Sequence, residues 1–151
     1  MADFKNINDI LDFAIKREQE AVDFYTNLSS KARNEEMKEV FKEFAMEEVK
    51  HKARLQKIKD EGIFEISEEK VLDLKISDYT DNVTPSPELS YEEALRLAMN
   101  KEKAAYKLYM KLSTKTDNQN LKEVFLSLAQ EESKHKLRFE IEYDEYVLRE
   151  N

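Results

Sequence analysis

The chain holds two histidines, and each stands in nearly the same phrase: "EEVKHK" from Glu47 to Lys52 and "EESKHK" from Glu131 to Lys136. In each phrase a glutamate precedes the histidine by three residues, Glu48 before His51 and Glu132 before His135. Residues at i and i+3 are neighbours on a helix surface, so each Glu-x-x-His pair offers a carboxylate and an imidazole to one point. Two further glutamates, Glu18 and Glu102, interrupt stripes that are otherwise apolar. Four carboxylates turned into one core repel each other, and desolvation costs several kcal/mol for each unpaired ion. No Lys or Arg is expected on these inward stripes, so two divalent cations would cancel the four charges. Oxygen-rich donors with two imidazoles suit iron, manganese or, less selectively, zinc.

The choice between the two glutamates of each "EE" pair follows from phase. Glu47 shares its face with Val40, Glu43 and Arg54, a largely polar set, whereas Glu48 is in phase with Phe41, Phe44 and Leu55. The same reasoning selects Glu132 over Glu131. A plainer reading exists. Glu48 with Lys52, and Glu132 with Lys136, stand at i,i+4 in the order that favours surface salt bridges. That reading leaves Glu18 and Glu102 unexplained. Their stripes match as well: Leu11, Ala14, Ala21, Tyr25 and Leu28 around Glu18, and Leu95, Ala98, Ala105, Tyr109 and Leu112 around Glu102.

These residues are repeated as a set. Sliding the chain by 84 positions aligns Ala14–Leu55 with Ala98–Phe139 without a gap and gives 19 identities in 42 pairs. Two copies of one unit are implied, each a helical hairpin. The first helix is expected from about Asn8 to Ala32. The second follows Asn34, a candidate N-cap, and stops near Gly62, a candidate left-handed terminus. Ser90-Tyr-Glu-Glu93 reads as a capping box opening the third helix, and the fourth follows Asp117 or Asn118 almost to the end. Hairpin one thus covers about 8–61 and hairpin two about 90–150. Between them a stretch of about 62–89 holds both prolines and the strand-like "VLDLKI". It is long enough to carry the chain back along a bundle. The expectation is a single all-α domain over 1–151, a four-helix bundle with one long crossover. A crossover of this kind also allows hairpins to exchange between two chains of a homodimer.

Composition narrows the function. One Gly, two Pro and 38% charged residues fit long helices. A net charge of −8 disfavours a nucleic-acid partner. No apolar run approaches a membrane span, and the first ten residues lack the basic-then-apolar layout of a signal peptide. A soluble cytoplasmic protein is expected. With no cysteine, thiolate metal sites and disulfides are excluded.

The set Glu18…Tyr25…Glu48-x-x-His51, then Glu102…Tyr109…Glu132-x-x-His135, resembles the rubrerythrin group of the ferritin-like di-iron carboxylate superfamily. The likeness runs over both hairpins. It implies two iron ions, with Glu48 and Glu132 bridging them and Glu18, His51, Glu102 and His135 as terminal ligands. Spacing alone leaves open which terminal glutamate joins which histidine. Tyr25 and Tyr109 would be hydrogen-bond donors that orient ligand carboxylates, although a tyrosine on such a stripe is often only core. In two respects the chain departs from the family's pattern. Typical rubrerythrins carry a further carboxylate three residues after the third-helix ligand, where this chain has Ala105. They also carry a cysteine-ligated rubredoxin-like domain, which a chain without cysteine cannot form.

Three functions are therefore in play. The first is reduction of hydrogen peroxide in oxidative-stress defence, with electrons from a separate donor such as a rubredoxin. The second is ferrous-iron oxidation by dioxygen, and the third is a non-catalytic metal-binding module.

Overall fold

The computed structural model describes residues 4, 6–62, 64, 74–75, 79 and 89–148. Four long helices make up most of them: α1 (Ile7–Ser30), α2 (Glu35–Glu61), α3 (Tyr91–Ser113) and α4 (Gln119–Tyr143). A π-helical turn, Asp144–Leu148, continues α4. No strand occurs among the described residues. Of the strand-like "VLDLKI", only Leu74 and Lys75 are described. Both prolines lie outside the described residues.

The helix ends follow local chemistry. Asn34 and Asn118, one per repeat, each accept a hydrogen bond from the backbone three residues on, at 2.8 and 3.1 Å. Asn6 does the same for α1, two residues ahead of the expected start. Ser90 and Glu93 form both bonds of a capping box. Gly62 closes α2 at φ 62°, a left-handed conformation that a residue without Cβ adopts at little cost.

Two apolar clusters fill the ends of the bundle. One gathers Leu11 of α1, Leu55 of α2, Leu112 of α3 and Phe125 of α4. The other gathers Leu28, Phe41, Leu95 and Phe139 of the same four helices. The order along each helix fixes its direction. α1 and α4 run one way and α2 and α3 the other, so each hairpin is antiparallel while α2 and α3 are parallel. Two consecutive helices that run parallel need a crossover from one end of the bundle to the other. Phe64, Leu74 and Tyr79, all within it, are buried in the first cluster. The chain is thus an all-α, ferritin-like four-helix bundle of two repeated hairpins joined by a long crossover. Burying an aromatic such as Phe125 or Phe139 contributes about 1.5–3 kcal/mol, and these end clusters stabilise a polar middle that costs energy to bury.

Candidate metal centre

That polar middle is where the helices bring the repeated residues. α1 supplies Glu18, α3 supplies Glu102, α2 supplies Glu48 and His51, and α4 supplies Glu132 and His135; none is more than 3% exposed. Burial of Glu48 and Glu132 rules out the surface salt-bridge reading. Lys52 instead donates to Gln19 at 2.8 Å, and Lys136 to Glu140 at 2.5 Å.

The donor atoms sort into two overlapping groups. Glu18, Glu48, His51 and Glu132 form one; Glu48, Glu102, Glu132 and His135 form the other; within each, the atoms lie inside 4.8 Å of one another. Glu48 and Glu132 belong to both. The question that spacing left open is answered by proximity: Glu18 sits with His51, and Glu102 with His135. His51 Nδ1 lies 2.8 Å from Glu132, 3.2 Å from Glu48 and 3.7 Å from Glu18. His135 Nδ1 lies 3.3 Å from Glu48 and 3.7 Å from Glu102.

Closeness does not mean satisfaction. Glu18 Oε2, Glu48 Oε1, His51 Nδ1, Glu102 Oε2, Glu132 Oε1 and His135 Nδ1 are all buried without a hydrogen-bond partner. The 2.8 Å approach of His51 to Glu132 is out of line for a hydrogen bond, though near enough to stabilise positive charge. Each of the six side chains therefore turns one lone, unpartnered donor atom inward. An unpartnered buried polar atom costs about 1–3 kcal/mol, and six sharing one small volume fit a pair of cations.

Electrostatics point the same way. Burial pushes Glu48 well above the usual carboxylate range, and repulsion from Glu18 and Glu102 adds to it. Burial, then repulsion from Glu102, Glu48 and Glu18, does the same to Glu132. Burial alone would also raise Glu18, but contacts with His51, Glu48 and Tyr109 outweigh it and hold Glu18 low. Burial works against charge on His51, yet Glu132 and Glu18 raise it to about 10. His135 is raised to about 9 against the same penalty, chiefly by Glu102. Without metal the cluster retains protons, as a concentration of negative charge must.

A second layer holds the first. Tyr25 donates to Glu102, and Tyr109 donates to Glu18. Burial and the nearby carboxylates raise both phenols well above their ordinary value, so they remain donors. On the outer side, Glu47 bonds His135 Nε2, and Glu131 lies 3.4 Å from His51 Nε2. Phase sets Glu47 and Glu131 on the more polar face of each helix, and both are about two-fifths exposed. Their tips nevertheless reach the histidine of the other hairpin. The repeated "EE" was the available signal, because both of its glutamates recur.

One expectation needs correcting. Lys101, beside Glu102, is only 8% exposed. It shares a cavity of about 20 Å³ with Arg17, Ala21, Ala105 and the inner glutamates. Cationic side chains thus do border the inward cavity, because a lysine's long stem lets its amine travel; the Lys101 amine sits over the Phe24 ring, 5.6 Å from its centroid. That volume accommodates one water-sized molecule.

The family model for rubrerythrin matches residues 9–140. The chain belongs to the rubrerythrin family. Membership makes it a di-iron protein of the ferritin-like superfamily, and the two buried carboxylate–histidine groups could hold the metal. Among solved structures, the chain is similar to a hypothetical protein from Pyrococcus furiosus. The two share 27% identity and a TM-score of 0.71, over 89% of this chain and 86% of the other. A comparison with curated proteins finds no match. Among the described residues, no helix is long and apolar enough to cross a membrane.

Proposed function

We propose that this rubrerythrin-family protein is a cytoplasmic non-haem di-iron oxidoreductase that reduces hydrogen peroxide to water. The balance is one peroxide, two electrons and two protons to two waters, with the electrons replenished by a separate donor such as a rubredoxin. The reading is carried by the six unpartnered, buried donor atoms in two groups that share Glu48 and Glu132. In it, Glu18 with His51 and Glu102 with His135 would each help hold one ion, and Glu48 and Glu132, common to both groups, would serve both. Two such ions, once bound, would supply the redox chemistry, one electron each.

The chain's own residues do the rest. Tyr25 and Tyr109 fix the terminal carboxylates. The apolar end clusters flank the site, and the small cavity beside Ala21 and Ala105 leaves room for one water-sized molecule next to the inner glutamates.

Ala105 favours a second reading. The carboxylate that typical rubrerythrins have at this place is tied to peroxide reduction, so its replacement suits oxidation of ferrous iron by dioxygen. Protein loaded anaerobically with two ferrous ions separates the cases through its oxidation rates with stoichiometric peroxide and with dioxygen. Faster oxidation by peroxide supports the first reading, and faster oxidation by dioxygen the second. Loading without redox cycling would identify a binding module. Failure to bind two ions would refute the metal centre.

A further inference from the structure

The outer glutamates, Glu47 and Glu131, are repeat counterparts with nearly equal exposure, yet they behave differently. Glu47 Oε2 forms a hydrogen bond with His135 Nε2. Glu131 Oε2 stands 3.4 Å from His51 Nε2, which has no hydrogen-bond partner. The same oxygen is held at 2.9 Å by Arg54. Arg138, the counterpart of Arg54, does not turn to Glu47. Its Nη2 meets Glu36 at 3.5 Å and Met37 Sδ at 3.2 Å.

The repeats differ at the start of the facing helix, where Glu36 and Met37 correspond, 84 residues on, to Asn120 and Leu121. Arg138 has a carboxylate at the start of the facing helix; Arg54 has an amide there and pairs with Glu131 instead. A second asymmetry reinforces the first. Phe44 stacks on His135 with ring centroids 4.1 Å apart and planes 25° apart, while its counterpart, Leu128, has no flat face to offer His51.

We infer that the two halves of the centre are inequivalent: Glu47 is a positioning residue that holds His135 ready for a cation, and the Glu36/Asn120 difference makes the His135 half the first to fill. The inference rests on the metal centre proposed above. With Nδ1 turned inward, a hydrogen bond from Nε2–H to a carboxylate selects the tautomer whose Nδ1 lone pair is free. It also fixes the ring plane and makes the imidazole a better electron donor. Arg54 draws Glu131 out of that role and neutralises its charge, so the ring of His51 must be ordered when an ion binds. Outer partners of this kind change metal affinity by about 10–100-fold.

The test uses zinc(II) as a diamagnetic probe and the full chain labelled with ¹⁵N-histidine. Two histidines give two sets of ring-nitrogen resonances, assigned with H51Q and H135Q. On substoichiometric zinc the His135 set should shift before the His51 set. E47Q should remove that lead by weakening the His135 half about 10–100-fold. N120E, at an exposed position outside the cluster, should give Arg54 a partner, release Glu131 to His51 and narrow the gap. Parallel shifts of both histidines in the unaltered protein would overturn the inference, as would a gap between them that N120E leaves unchanged. If zinc moves neither histidine, the metal centre itself is refuted along with its asymmetry.

Discussion

Tyr25 on the first hairpin donates its hydroxyl hydrogen to Glu102 on the second. The reciprocal bond, Tyr109 to Glu18, returns the relationship. The tyrosine and glutamate of one helix thus serve different donor groups, because the tyrosine reaches the glutamate of the other hairpin while the glutamate groups with its own hairpin's histidine.

Crosswise support predicts crosswise damage. Y25F should disturb the position built from Glu102 and His135, and Y109F the one built from Glu18 and His51. Each substitution leaves a buried carboxylate one bond short and should cost about 1–3 kcal/mol in the denaturation of metal-free protein. In the zinc titration each variant should perturb the histidine on its own hairpin's partner. Y25F acting on His51 alone would contradict this wiring.

Removal of a bridge should be harsher than removal of a terminal group. E48A strips a donor from both groups at once. Its metal content, measured by elemental analysis after loading and desalting, should fall from two ions to one or none, and peroxide turnover should vanish. E18A should spare the Glu102–His135 position and retain about one ion. Two ions retained by E48A would rule out a bridging role.

The metal-free protein should become less stable as pH rises from about neutral to about 10. His51 and His135 are raised above their ordinary 6.5 to about 10 and about 9. Their contribution is complete below the unfolded value and is lost as pH climbs through the folded values. Glu48 and Glu132, also raised, act in the same sense above the ordinary carboxylate range. Glu18, held low, acts oppositely, and its contribution disappears only in acid. Metal displaces these protons, so loaded protein should show a flat or opposite trend. Thermal midpoints across this range, with and without metal, check the sign. A metal-free midpoint that rises with pH would be inconsistent with the cluster's charge.

A control lies at one end of the bundle. Arg33 holds Glu142 through Nε and Nη2 at 2.8 and 3.0 Å, and Tyr91 donates to the same carboxylate at 2.7 Å. Glu142 is fully buried. E142Q should lower stability by about 1–3 kcal/mol with two ions still bound. Loss of metal in this variant would mean that the centre depends on the bundle end as well as on its own helices.

Periodicity and the repeat made the six inner residues legible, because a glutamate in an apolar stripe stands out against its neighbours. Glu18 and Glu102 were visible for that reason, and the caps at Asn34, Gly62 and Ser90 were visible from residue type. Glu47 and Glu131 were not. A phase argument places the start of a side chain, while a glutamate's reach to a facing helix depends on interhelical packing. Lys101 escaped for a similar reason, since its flexible stem carries the amine inward from a position that reads as polar. The crosswise pairing of Tyr25 and Tyr109 was also hidden, because an internal alignment matches counterparts and does not show which of them touch.

The exchange between Glu36 and Asn120 has a further meaning. A lone hairpin associating with an identical hairpin would present the same residue at both places, and its two ion positions would be mirror accounts of each other. Carrying both hairpins on one chain lifts that constraint. Each position can then drift in charge and geometry separately, so a pair of like ions can be given an order, an early and a late occupant, by a change of one surface side chain.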